Sequence, residues 1–142
     1  MRASLTPAEW QEWLRLGPAD RAEAIATARR LPPALAADAR WRAAALLHDV
    51  GKAESRVGTA GRVVATCAAL VVGPDRVGGR FGRYLRHAQI GEARLAAVGA
   101  RPEAIAWAGA HHDPGRWATL SIPREVCEAL ASADGELPPG VK

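Results

Sequence analysis

The sequence is short of several residue types, and each shortage narrows what the chain can be. Its 142 residues include one Phe, one Tyr and one Met, yet the apolar share is 49%. Much of that share is alanine, which favours helix, whereas strands draw on β-branched and aromatic residues. The composition therefore predicts an all-α fold. Two cysteines occur, Cys67 and Cys127, far apart and each within an apolar stretch. That usage argues against a disulfide-stapled secreted scaffold and predicts two buried free thiols. Lysine is nearly missing: Lys52 and Lys142 are the two lysines among nineteen basic residues. The rest is arginine, giving a net charge of +4, too small and dispersed for a nucleic-acid arm. Met1 to Trp10 has no apolar signal core. The longest apolar run, Val63 to Gly73, is shorter than a bilayer span. The expected setting is cytoplasmic, without a membrane partner.

Proline and glycine divide the rest. Thr6-Pro7-Ala8-Glu9 reads as a capped start, so a first helix is expected over 6–16. Gly17-Pro18 stops it. A second helix is expected from Pro18 to Leu31, with Ala22, Ile25 and Ala26 facing inward. After Pro32-Pro33, a third should run from Ala34 to Asp49, wholly apolar from Ala43 to Leu47. Gly58 to Gly61 reads as a loop. Arg62 to Val72 reads as a buried helix, although its valines also allow a strand. Gly73 to Gly82, with four glycines, reads as a mobile loop. Helices from Arg83 to Val98, from Pro102 and from Pro123 complete a bundle of six to seven, with a short tail over 135–142. On the Pro102 helix, Ile105, Ala108 and His112 are expected near one face, with His111 one residue round. The whole chain, 1–142, reads as one domain with its core over 18–134. The Trp10/Trp13 helix can pack on this core or on a second copy, which leaves an oligomer open.

The sharpest feature is Leu46-Leu47-His48-Asp49-Val50-Gly51-Lys52. Imidazole and carboxylate are both metal ligands. Adjacent helical residues point about 100° apart, so both can serve one site only at the helix end, where Gly51 lets the backbone turn away. An Asp beside so apolar a run costs several kcal/mol unless a cation compensates it. The bland alternative is a capped helix end with a satisfied histidine.

Ala45-Leu46-Leu47-His48-Asp49-Val50-Gly51-Lys52 resembles the signature of the HD superfamily of metal-dependent phosphohydrolases. His87-Ala88-Gln89-Ile90-Gly91 resembles the His-x-x-Ile-Gly element of several members. His111-His112-Asp113-Pro114 is similar to the paired histidines of HD-GYP-type members, without the GYP motif. Asp134 falls where the family's last metal-binding aspartate lies. All four histidines of the chain fall in these elements. The resemblance implies a helical HD domain and a pair of divalent ions (Mn, Fe or Zn) sharing Asp49. It implies further ligands at His48, His87, His111 and Asp134, with His112 as a ligand or a substrate contact. The family usually begins with a histidine on an early helix, and none precedes His48. Glu23 is the candidate replacement, the alternative being a solvated side chain paired with Arg29 or Arg30. The resemblance also implies that Lys52 meets a substrate phosphate. Arg76, Arg80, Arg83 and Arg86 flank the Gly-rich loop and form either an anion-attracting rim, with Arg83 and Arg86 meeting substrate, or a solvated face. The implied activity is hydrolysis of a nucleotide or other small phosphate ester by a metal-activated water, with Asp49 and Lys52 catalytic. Two other readings stay open: a mixed-valent di-iron oxygenase, and a degenerate domain that binds metal or nucleotide without turnover.

Overall fold

Local chemistry sets where the helices begin. The computed structural model describes residues 2–55 and 59–135. Helix α1 (Pro7–Leu14) opens on a capping box, in which Thr6 Oγ1 accepts the Glu9 N–H and Glu9 Oε2 accepts the Thr6 N–H. Pro18 starts α2 (Pro18–Arg30) at the position that tolerates a missing N–H. The predicted third helix is two, α3 (Pro33–Ala37) and α4 (Ala39–Leu47), because Asp38 leaves helical geometry. Its carboxylate then accepts the Arg40 N–H at 2.8 Å and caps α4. After α4 the chain tightens into a 3-10 turn, Val50–Glu54. Helix α5 covers Thr59–Val72, so 59–61 is helical rather than loop; Gly58 lies outside the described residues. The expected mobile loop instead holds a 3-10 turn, Pro74–Arg76, and the start of α6 (Gly79–Leu85). Arg86, at φ −103 and ψ 20, breaks α6 from α7 (His87–Ala97), so the helix predicted from Arg83 is also two. Helix α8 (Pro102–Ala110), a 3-10 turn at Trp117–Thr119 and α9 (Arg124–Asp134) follow. The described residues thus form nine α-helices and no strand, more segments than expected but the expected class.

Helix α4 is the axis of the packing. Ala43, Leu46 and Leu47 enter one apolar cluster with Trp13, Leu16, Ala24, Leu95 and Ala104. Trp41, Ala44 and Ala45 enter a second with Trp107, Trp117, Cys127 and Leu130. Residues 43–47 of α4 are apolar on every face and buried on every face, which places its C-terminal end inside the protein. On α8 the buried stripe is Ala104, Trp107, Ala108 and His111, so His111 faces inward and His112 is the exposed member of the pair. On α2 the inward residues are Ala24 and Thr27, while Ala22 is exposed and Ile25 and Ala26 are half-buried. Helix α5 departs furthest from expectation. It is helical, but Val63, Val64, Leu70, Val71 and Val72 are exposed, since it packs mainly on α6 and the Pro74–Arg76 turn. Cys67 is accordingly exposed, and Cys127 is buried. No helix among the described residues is long and apolar enough to cross a membrane.

Candidate metal centre

Four helix ends converge. His48 directly follows α4, His87 opens α7 one residue after α6, His111 directly follows α8, and Asp134 is the last residue of α9. Gly135 then turns the chain away at φ +85, a conformation that disfavours other residues. Asp49 sits in the bridge region at φ −100 and ψ 9, where side chains at functional sites are often found. Gly51 does not have a positive φ. Its use is close approach: a Cβ there would lie 1.9 Å from the His87 carbonyl oxygen. The missing side chain lets the Val50–Glu54 turn sit against the start of α7 and so brings Asp49 to His87.

The donor atoms face one another. Asp49 Oδ1 lies 3.2 Å from His87 Nε2 and 3.6 Å from His111 Nε2. His87 Nε2 is 2.9 Å from His112 Nε2. On the other side, His48 Nε2 is 3.4 Å from Asp49 Oδ2 and 3.1 Å from Asp134 Oδ1. Two donors, each about 2.1 Å from one ion at right angles, stand about 3.0 Å apart, so these are the spacings of neighbouring ligands. Each ring is turned by a contact behind it. His48 Nδ1 lies 2.9 Å from Ala45 O, His87 Nδ1 2.7 Å from Tyr84 O, and His111 Nδ1 2.9 Å from Ala108 O. Only an Nδ1–H can pair with a carbonyl, which leaves the Nε2 lone pair free to ligate.

Burial completes the test. His48 Nε2, His111 Nε2 and Asp49 Oδ1 are buried without a hydrogen-bond partner, because the short approaches among them lack hydrogen-bond directionality. Orphaned polar atoms at this depth are costly, and cations held on the two sides of Asp49 would satisfy all three. The donor set therefore fits a divalent transition metal. The same contacts set how the metal-free cluster ionises. Burial alone would lower the His48 ring, but the Asp49 and Asp134 carboxylates outweigh it and raise it to about 9. Burial pushes Asp49 up, yet His48, the His111 and His87 rings and Lys52 hold it well below the usual carboxylate range. Asp134 is likewise lowered, its burial outweighed by His48 and Thr27. His111 is lowered by burial.

A family model for the HD domain matches residues 19–138. The chain belongs to the HD domain family. No curated protein and no solved structure matches it. The HD pair itself is His48-Asp49, and among the described residues Asp49, His87, His111 and His112 form a group that could hold an ion. His48 and Asp134 adjoin it through Asp49. Lys52 Nζ contacts Asp49 Oδ2.

Two expected residues sit elsewhere in this HD domain, and a third, Arg83, lies beside the turn that carries Lys52. Glu23 is not at the centre; it is exposed and pairs with Arg30 at 2.7 Å. One turn further along α2, buried Thr27 reaches the site in its place and donates to Asp134 Oδ1 at 3.0 Å. Sequence reasoning missed Thr27, although it is the polar member of the inward run Ala24, Thr27, Ala28 and Leu31. Arg86 is spent on the fold, its guanidinium 3.4 Å from the Val77 carbonyl. Arg83 donates to the Glu54 carbonyl at 3.1 Å. With Arg80, Glu54 and Ser55 it lines an open cavity of about 590 Å³ beside the turn that carries Lys52.

Proposed function

We propose that the chain is a metal-dependent phosphohydrolase acting on a nucleotide or another small phosphate ester. The observation that carries the reading is the pairing of a cation-binding cluster with side chains suited to anions. When bound, a divalent ion polarises a phosphoryl oxygen and acidifies a water. Asp49, His87, His111 and His112 would hold one ion, and His48 and Asp134 extend the donor set across Asp49 for a second. Lys52 contacts Asp49 Oδ2, and an ammonium carries three donors, so it can meet phosphate oxygens as well. Its charge is aimed where negative charge grows during transfer. Arg80 and Arg83 line the cavity beside the Val50–Glu54 turn and give it positive charge for an arriving anion. Glu54, on the same wall, accepts from both Arg15 and Arg94 through Oε1, so its charge is offset. Exposed His112 marks where the cluster meets solvent.

The test is phosphate release. Under anaerobic conditions with Mn²⁺, the protein is expected to release phosphate from at least one member of a nucleotide and sugar-phosphate panel. Turnover that needs iron and O₂, without phosphate from any ester, would support oxygenase chemistry instead. Full metal content without turnover on either route would support a binding domain.

A further inference from the structure

The two faces of Asp49 present unequal donor sets. On the Oδ1 face stand three imidazoles: His87 and His111 at 3.2 and 3.6 Å from Oδ1, and His112 at 2.9 Å from His87. On the Oδ2 face stand one imidazole, His48, and the Asp134 carboxylate. Among the described residues, the further side chain that reaches this face is Thr27. Its hydroxyl is neutral and already engaged, since it donates to Asp134 at 3.0 Å and lies 3.3 Å from Arg30 Nη2. Two positive groups also crowd this face, the Lys52 ammonium on Asp49 Oδ2 and the Arg30 guanidinium behind Thr27. Resting on the metal-centre reading above, we infer that the faces load unequally. The nitrogen-rich Oδ1 face binds one borderline transition-metal ion tightly. The oxygen-rich Oδ2 face is a labile second site suited to hard ions such as Mn²⁺ or Mg²⁺. Imidazole and oxygen ligands sort metals in this way, and like-charge crowding weakens the second step more than the first.

The experiment is a calorimetric titration of the metal-free full chain with Co²⁺ and, separately, Mn²⁺, which needs no turnover. Co²⁺ is expected to bind first at one ion per chain, with a second event at least about 100-fold weaker. Mn²⁺ should narrow that gap. Thr27→His supplies the missing imidazole and should tighten the second Co²⁺ event about 10–100-fold, leaving the first unchanged. Thr27→Val removes the hydroxyl without adding a ligand and should give no tightening. His112→Ala should weaken the first event about 10–100-fold and spare the second. Two events of equal strength in the wild type would overturn the inference. So would a His112→Ala loss shared equally by both events, or a folded Thr27→His protein that titrates like the wild type. Should Thr27→His fail to fold, the wild-type and His112→Ala titrations decide. Binding of no metal at all would instead remove the metal-centre reading as a whole.

Discussion

Replacing Gly51 by alanine tests how the centre is assembled. The added Cβ would lie 1.9 Å from His87 O, 2.7 Å from Gly91 N and 2.8 Å from His87 C. All three are backbone atoms of α7, so no side-chain rotation relieves the contact, and the turn and α7 must separate by about 1 Å or more. Overpacking typically costs about 1–3 kcal/mol, and a rigid backbone neighbour puts this case at or above the upper end. Lower entropy of the unfolded chain returns about 0.4–1 kcal/mol. The net loss is about 2–3 kcal/mol, which for a chain of this length lowers the melting temperature by about 6–15 °C. The same separation draws Asp49 from His87, so metal affinity should fall as well. Thermal melting by circular dichroism and a metal titration measure the two effects. Gly91→Ala is the comparison: its Cβ would meet Gly51 N at 3.3 Å and two side-chain carbons at 3.6 and 3.7 Å. A gain of about 1 kcal/mol in helix propensity opposes that milder contact, so its melt should shift by a few degrees at most. A Gly51→Ala protein that melts and binds metal like the wild type would refute the argument.

Other outcomes follow from the same geometry. Glu23→Ala should keep its metal content and lose at most about 1 kcal/mol, because Glu23 and Arg30 are both about half exposed; elemental analysis showing lost metal would return Glu23 to the site. Asp49→Ala, which removes the carboxylate shared by both donor sets, should retain almost no metal by the same analysis, and full retention would contradict the shared role. Metal-free protein should lose stability as pH rises from about 6.5 to 9. His48 is raised from 6.5 to about 9 in the fold, so its contribution, on the order of 3 kcal/mol, is complete below the lower value and gone above the upper. A denaturation midpoint flat between pH 6.5 and 9.5 would contradict that assignment. Lys52→Ala should lower kcat/KM for a phosphate ester by at least about tenfold with metal content unchanged; an unaltered value would remove Lys52 from the reaction.

The sequence disclosed the fold class because alanine and proline act locally. Helix starts at Pro7, Pro18 and Pro102 were legible for the same reason, and so was the wholly apolar face set of α4. The candidate ligands were legible because the four histidines and Asp49 sit in compact motifs. What escaped depends on three-dimensional context. Asp38 and Arg86 break helices through backbone geometry that hydrophobic periodicity does not register. The Val63–Val72 run looked buried because hydropathy does not say whether a partner surface exists, and Cys67 was misplaced with it. Glu23 and Thr27 lie one turn apart, and chemistry favoured the carboxylate while packing turned the hydroxyl inward. Gly51 was read as a turn residue, but close approach of α7 explains it better.

The three ring anchors carry an electrostatic consequence. Ala45, Tyr84 and Ala108 lie in the final turns of α4, α6 and α8, where carbonyls lack partners within their own helix. Each imidazole therefore caps a helix C-terminus, the end that carries a partial negative charge of roughly half an electron. Three such ends meet at the centre, opposed by one positive end, the start of α7 at His87. The protein accordingly offers an arriving cation an attractive field built from peptide groups alone, in addition to Asp49 and Asp134. That field persists when a single ligand is substituted, so single-histidine variants should retain residual metal attraction as long as their helices stay formed.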